Sequence, residues 1–361
     1  MTSKSLDANT DHVKRLEEVL SIKIVAKKAG VGSHSPYKDV IEIAHLLQRH
    51  NADCLISIGS SSYSDACKIA AQLHATMKPD FGAEDMEAMI DQKKGAGILE
   101  PAAIKVILVP TSLSASEWNS TGSCTNSTGK KQHFGVGNHL DGAPDLILLD
   151  PELASTAPET LWLSSGVRCI DHCVETMCSL HGCSPEASKD AEEGLADMIK
   201  GLKEYKEGKD HDRKELLRGI SECQKGSRQA IGGLIVHRSP FGPSHAIGHQ
   251  LGSVAGVMHG VTSCILLAPV LRYIKSKTED AQAKVLDIFN KTLGWQEKDA
   301  ATALTRFVKM LGLPTTLSEV GVTDEFTIRK IAEKTLTDVW GGQAPQITEA
   351  DEVMKILDMA R

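Results

Sequence analysis

The chain reads as a parallel α/β domain followed by an all-helical domain, and two observations carry that reading. Up to about residue 150, short runs rich in Val, Ile and Leu alternate with segments of helical periodicity; beyond Pro151 the strand signals stop and helical patterns continue to the end. Length agrees, because 361 residues exceed one ordinary core and suit about two domains. We place the first domain at residues 1–152 and the second at 153–361.

Taken in order, the polar start leads into a helix at HVKRLEEVL. IKIVA at 22–26, CLISI at 54–58, AIKVILV at 103–109 and DLILLD at 145–150 are expected as buried strands. Between the first two, Val40, Ile41, Ala44 and Leu47 fall on one face of a helix. Strand, helix, strand implies a parallel sheet with right-handed crossovers. From Glu159 onward successive helices are punctuated by Gly312-Leu313-Pro314 and by Ala344-Pro345.

Composition excludes several classes. A net charge of −7, with Lys and Arg scattered along the chain, offers no footprint for nucleic acid or an anionic membrane. No apolar run approaches the roughly 20 residues that span a bilayer, and the start has no signal-peptide core, so a soluble cytoplasmic protein is expected. Nine cysteines, an odd number, read as free thiols. Cys169, Cys173, Cys178 and Cys183 crowd one segment but form no CxxC pair, which suits small residues packed along a helix better than a soft-metal cluster.

Two places carry chemistry. After CLISI, Gly59, Ser60, Ser61 and Ser62 leave a strand and enter a helix, where backbone N–H groups and the helix dipole favour a phosphate; a plain N-cap is the alternative. The next strand ends in Val109-Pro110-Thr111-Ser112, a second hydroxyl-rich loop, and two such loops at carboxyl ends of parallel strands point to a ligand crevice. In SHAIGHQLGSVAGVMHG, His245 and His249 lie four apart on one helix face and His259 follows a Gly-containing bend; with His172 they could converge as metal ligands. Four residues before His172, where a helix would supply the next ligand, stands the cation Arg168. Asp171 is about 100° around the helix from His172 and is expected to point away from its face.

In this order GSSSYSDACK, VPTSLSASE, PDLILLDPEL, SGVRCIDHCVE and the histidine segment resemble the iron-dependent alcohol dehydrogenases, and HSP at 34–36 is similar to their maleylacetate reductase branch. The resemblance spans about residues 15 to 361. It implies a dehydroquinate synthase-like architecture, with a Rossmann-like amino-terminal domain, a helical carboxyl-terminal domain and an active-site cleft between them. Gly59, Ser60, Ser61, Ser62, Asp65 and Lys68, with Thr111 and Ser112, fall in the segments that would hold NAD(P)H. Ser60 and Ser61 replace family glycines, so their side chains intrude where backbone should approach a pyrophosphate. For Asp65 and Lys68, a helix charge and a loop-bridging lysine are the alternatives; Ser116 and Glu117 read as structural. Members of the family open with further strands, whereas about eleven residues precede HVKRLEEVL here, so a sheet lacking its first strand and an incomplete dinucleotide site are expected.

His172, His245 and His259 fall on the family's three metal-ligating histidines and Arg168 on its metal-ligating Asp, so no metal is expected. His249 falls on a non-ligand histidine suited to relaying a proton. The resulting expectation is a metal-independent NAD(P)H-dependent reductase of a small enone, ketone or oxo-acid. Arg168 would orient an anionic or carbonyl-bearing substrate, and His249 or His172 would transfer the proton. The alternative is a redox-silent relative, a dehydratase, isomerase or cyclase working without a nicotinamide. For Arg168 itself, an ion pair with Asp171 or Glu175 is the structural alternative. A homodimer follows from the resemblance alone.

Overall fold

The computed structural model describes residues 1–91, 96–136, 142–180, 183–338, 340 and 347–361. The Ala344-Pro345 punctuation lies outside them. Two compact units divide the chain: Met1–Ser112 with Ser116–Ala157, and Leu113–Ala115 with Pro158–Arg361. Among the described residues no helix is long and apolar enough to cross a membrane.

The first unit contains α1 (Lys4–Asn9), α2 (His12–Leu20), α3 (Tyr37–His50), β1 (Cys54–Gly59), α4 (Ser61–Thr76), α5 (Ala83–Ala88), β2 (Ile90–Asp91), β3 (Ala96–Leu99), β4 (Lys105–Pro110), β5 (Gly122–Thr125), β6 (Lys131–Val136), β7 (Leu146–Ile147) and α6 (Pro151–Ala154). The expected parallel sheet is present as β1-β4-β7, with Cys54 opposite Lys105 and Gly59 opposite Pro110. Ile43 and Leu47 of α3, Ile69 and Leu73 of α4 and Leu108 of β4 share one apolar core, as the 3.6-residue spacing of α3 required.

Two expected strands are corrected. IKIVA forms a 3₁₀ turn at Ser21–Lys23 followed by extended chain, and Ile22 and Val25 are exposed. The edge of β1 that it would have paired with is taken by the chain's first residues: Met1 donates to Ile56 O, while Ile58 N–H donates to Met1 O and Ser3 N–H to Ile58 O. Thr2 bridges Ala29 on one side and Ile58 on the other, so only the residues just after IKIVA pair. DLILLD shrinks to the two-residue edge strand β7, with Leu146, Leu148 and Leu149 partly exposed, because β4 alone pairs with it among the described residues.

A second sheet, β2-β3-β6-β5, mixes one parallel pair with two antiparallel ones and was not expected. Its strands AGIL, GSCT and KQHFGV are short and rich in Gly and polar residues, too weak a pattern to register. Its turn is built on Asn126. Asn126 Oδ1 accepts from the N–H groups of Thr128 and Lys130, and Gly129 at φ 80° completes the NSTGK reversal.

The second unit is helical throughout its described residues: α7 (Glu159–Met177), α8 (Pro185–Gly208), α9 (Arg213–Ile235), α10 (Pro243–Ala255), α11 (His259–Ile274), α12 (Glu279–Leu293), α13 (Ala300–Met310), α14 (Glu325–Thr335) and α15 (Ala350–Asp358). Side-chain caps start several of them, such as Ser184, Asp212 and Asp299, and Gly312 at φ 76° follows α13 where the sequence placed a break. Helix α7 is buried from Trp162 to Met177, with α8, α9 and α11 packed against it.

Helices α8 and α9 meet backbone to backbone. Gly194, Gly201 and Gly208 recur every seven residues on α8, as do Gly219, Gly226 and Gly233 on α9, which keeps each set near one face. A Cβ on Gly201 would stand 2.7 Å from Gly219 O, and one on Gly219 would stand 2.7 Å from Gly201 O. Alanine gains about 1 kcal/mol of helix propensity over glycine, but forcing packed backbones apart costs about 1–3 kcal/mol. Gly201→Ala and Gly219→Ala are each expected to lower the urea midpoint. A midpoint equal to or above that of the parent would show that the helices separate without cost.

Candidate active site

Helix α7 carries Arg168, Asp171, His172 and Glu175, and all four side chains are buried. Helix α10 opens with Gly242 and Pro243, which supply no side-chain cap. Glu175 does so instead: Gly242 N–H donates to Oε2 at 2.9 Å and Ser244 N–H to Oε1 at 2.6 Å. His245 Nδ1 lies 2.6 Å from Glu175 Oε2. Asp171 accepts from Ser244 Oγ at 2.8 Å and Ser263 Oγ at 2.6 Å, and its Oδ2 is 3.6 Å from His245 Nδ1. Far from leaving the histidine cluster, Asp171 joins it through α10 and α11.

Rings complete the arrangement. Phe241 stacks on His172 at 4.8 Å and on His245 at 4.1 Å, and Trp340 meets Phe241 edge-on at 5.5 Å. His172 and His245 are themselves 5.0 Å apart, and His249 stacks on His259 at 5.5 Å. His249 Nδ1 lies 3.1 Å from Asp338 Oδ2. The structure thus gathers His172, His245, His249 and His259 around Arg168, whose charge is felt by both His172 and His245.

The electrostatics follow from burial. Desolvation and then the Arg168 charge push His172 and His245 well below the ordinary imidazole range, so both are neutral at physiological pH. Burial lifts Asp171 to about 6 against the pull of Arg168 and two serine hydroxyls. Burial, then the Asp171 charge, holds Glu175 well above the usual carboxylate range. His245 Nε2 and His172 Nδ1 have no hydrogen-bond partner among the described residues.

Arg168 forms no ion pair with Asp171 or Glu175. It is 3% exposed, and among the described residues its one hydrogen bond runs from Nη1 to Ser263 Oγ at 3.4 Å. Glu175, Asp338, Phe241, Ser244 and Ser263 were not singled out as site residues from the sequence. Glu175 had a signal, since it lies four residues beyond Asp171 in the same motif. Asp338 had none, being 89 residues from its partner.

In the first unit, the two hydroxyl-rich loops meet at the carboxyl ends of adjacent strands. Thr111 N–H donates to Gly59 O at 2.9 Å and Ser61 N–H to Ser112 Oγ at 3.2 Å. Ser60 holds the N-cap position of α4, yet its side chain makes no capping bond, so the plain N-cap alternative is not realised. A Cβ on Gly59 would lie 2.6 Å from the Tyr63 ring, which folds back over it. Asp65 and Lys68, carried over in the cofactor-binding segment, are both engaged by the protein's own loop, as in the loop-bridging alternative. Lys68, buried, donates to the carbonyls of Ser116, Asn119 and Thr121 and lies 3.4 Å from Asp65, whose carboxylate accepts from Ser116 and Ser123. Their side chains hold the wall of the loop.

Glu117, in that loop, is buried beside Lys68, and desolvation lifts it to about 7. Its ordinary value is 4.5, so as pH rises from 4.5 the unfolded chain ionises first and stability is lost until the folded carboxyl ionises near 7. Glu117→Gln removes that term. Its stability relative to the parent should improve by up to about 3 kcal/mol between pH 4.5 and 7 and level off above. Urea unfolding of both proteins across that range checks this; a pH-independent difference would place Glu117 at its ordinary value. In the second unit, Glu175→Ala strips three donors of their acceptor and is expected to cost about 3–5 kcal/mol, measured in the same way.

Comparison with known proteins places this geometry. The model described as Iron-containing alcohol dehydrogenase matches residues 1–151, and that described as Fe-containing alcohol dehydrogenase family, C-terminal, matches residues 163–361. The chain is 33% identical to Dehydrogenase ALT3 of Alternaria alternata, an alignment covering 100% of this chain and 98% of that one. Its fold is shared with maleylacetate reductase from Agrobacterium tumefaciens (TM-score 0.75, 19% identity, 99% of this chain and 88% of that one). It is shared equally with NADH-dependent butanol dehydrogenase A from Thermotoga maritima (TM-score 0.79, 19% identity, 99% and 90%). The dehydroquinate synthase-like architecture that the motifs implied is therefore present, and the chain belongs to the iron-containing alcohol dehydrogenase family of oxidoreductases.

Proposed function

We propose that the protein is a metal-independent NAD(P)H-dependent reductase of a small enone, ketone or oxo-acid bearing a negative charge, in the manner of the maleylacetate reductases whose fold it shares. One observation carries the reading: Arg168 is buried with a single weak hydrogen bond and no ion pair among the described residues. A buried guanidinium with unspent donors is costly unless an anion completes it, and a substrate carboxylate or carbonyl oxygen does so bidentately.

The family's name implies iron, and the residues at the ligand positions do not fit it. His172, His245 and His259 offer three neutral imidazoles, and the fourth position holds a guanidinium, which has no lone pair to donate. The field that depresses His172 and His245 also opposes a dication. Asp171, Glu175 and His245 do present ligand atoms within 4.8 Å of one another, but Gly242, Ser244 and Ser263 already donate to those carboxylates.

A nicotinamide cofactor fits better. Ser60 places no capping side chain on α4, whose Ser61 N–H donates to Ser112 Oγ, and Gly59, Ser60, Ser61 and Ser62, with Thr111 and Ser112, would hold a pyrophosphate there. When bound, the cofactor supplies the hydride. Arg168 binds the substrate's anionic group and stabilises charge on the carbonyl oxygen; His249 delivers the proton; neutral His172 and His245, sealed by Phe241, keep water out. A second reading, redox-silent acid–base chemistry in the same Arg/His pocket, is favoured by the Ser61 N–H, which Ser112 Oγ already occupies.

Titration with NADPH and NADH, followed by fluorescence and thermal shift, separates the two. Binding is expected, and none at millimolar cofactor would sink the reductase reading. With substrate, Arg168→Met should lower kcat/KM by roughly 10²-fold or more, mainly through KM, and His249→Ala should lower kcat by about 10²–10⁴-fold. Stoichiometric iron or zinc in the purified protein would overturn metal independence.

A further inference from the structure

We propose that Asp338 is a positioning residue that fixes the ring orientation and tautomer of His249, accepting Nδ1–H so that Nε2 is the nitrogen exchanging protons. The proposal rests on the reading of His249 as the proton relay and adds the group that makes a relay of it.

Asp338 lies three residues beyond α14, and α14 packs against α10, which carries His249. Its carboxylate approaches His249 Nδ1 with both oxygens, at 3.1 and 3.3 Å. The carboxylate is itself held in place, for Gln250 Nε2 donates to Oδ2 at 2.9 Å and Trp340 N–H to Oδ1 at 3.0 Å. Both side chains are largely buried, at 12% and 8% exposed. The His259 ring stacks on the His249 imidazole, at 5.5 Å and 15°. A ring stacked on one neighbour and bonded edge-on to a fixed carboxylate has one orientation, and an acceptor at Nδ1 selects one tautomer.

Among the described residues, the charged and titratable groups near His249 include Asp338, His259 on α11 and His245 one turn back on α10, with Arg168 of α7 near Asp338. Of these, Asp338 is a carboxylate in direct contact with His249. Burial alone would raise Asp338, yet the hydrogen bond and charge of His249, with Trp340 and Gln250, bring it below the usual carboxylate range. Trp340 also meets Phe241, whose ring covers His172 and His245, so the same short segment braces both halves of the cluster.

The test uses the full-length protein labelled with ¹⁵N-histidine, with the His249 signals assigned from their loss in His249→Asn. At a pH where the ring is neutral, the parent should show Nδ1 protonated and Nε2 bare. Asp338→Asn should move the population toward the Nε2–H form and lower kcat by about 10- to 100-fold, with KM within about threefold; Asp338→Glu should restore part of both. A parent already in the Nε2–H form overturns the proposal without any variant, should Asp338→Asn fail to fold. An unchanged tautomer in Asp338→Asn overturns it as well. A tautomer that moves while kcat stays level leaves the Asp338 assignment standing and removes His249 from the chemistry.

Discussion

Glu175 at the start of α10 is the contact on which the site depends. A carboxylate taken out of water costs several kcal/mol, and here the cost is offset by two backbone N–H groups, the positive end of a helix dipole and an imidazole. Because Gly242 and Pro243 bring no cap of their own, α10 can begin there only if α7 supplies one. The bond thereby sets the register of α10 on α7. Once Ser244 and His245 are pinned, His249 follows one turn on. Gly248 passes close to α11 and Arg168, where a Cβ would stand 2.9 Å from Thr262 Oγ1 and 3.8 Å from Arg168 Nη1. On the other side, Gly260 lets α11 approach α7, since a Cβ would lie 2.7 Å from the Ser164 backbone, and that approach brings Ser263 within reach of Asp171 and Arg168.

A positive charge at residue 168 inverts the logic of a metal centre. Three imidazoles converging on a carboxylate suit a cation; beside a guanidinium, on the reading proposed above, they suit an anion, because the cation is covalently built in. The histidines respond accordingly. His172 and His245 are held neutral by burial and by Arg168, so they cannot compete with it for an anion and instead form a stacked wall with Phe241. Asp171 and Glu175 balance Arg168 at a distance rather than pairing with it, each engaged by serine hydroxyls or backbone N–H groups. A direct ion pair would have satisfied the guanidinium and removed its use.

Much of this was written locally in the chain and therefore legible. The i, i+4 relation of Arg168 to His172 and of His245 to His249 needs only a helix, and both lie on one. Strands β1 and β4 were equally plain as apolar runs ending in Gly-Ser and Thr-Ser. What failed depended on partners far away in sequence. IKIVA has the composition of a strand, but pairing is decided by which backbone occupies the neighbouring edge, and Met1–Ser3 occupy it. Asp171 was assigned to the wrong surroundings by treating one helix as if it had a single functional face, whereas α7 is buried on every side and serves α10 and α11 with different residues. The glycine heptads of α8 and α9 lay in plain view; their meaning, two backbones in contact, appears only once the helices are placed together.

Two histidine–carboxylate pairs stand one helical turn apart on α10, and their surroundings assign them different work. His245 and Glu175 are 1% and 4% exposed, the carboxylate committed to two backbone donors and the ring pressed against Phe241 and under the charge of Arg168. Protonating that ring would place a second cation beside the first in a medium that screens poorly, so the pair is fitted to hold shape and to stay neutral. His249 and Asp338 are more open, and the carboxylate there is held below its ordinary range by the imidazole it faces. Any charge on that ring would be met directly by an anion. The same two residue types thus have different surroundings in successive turns of α10, and the difference is set by which carboxylate arrives, Glu175 from the core helix α7 or Asp338 from the segment that follows α14.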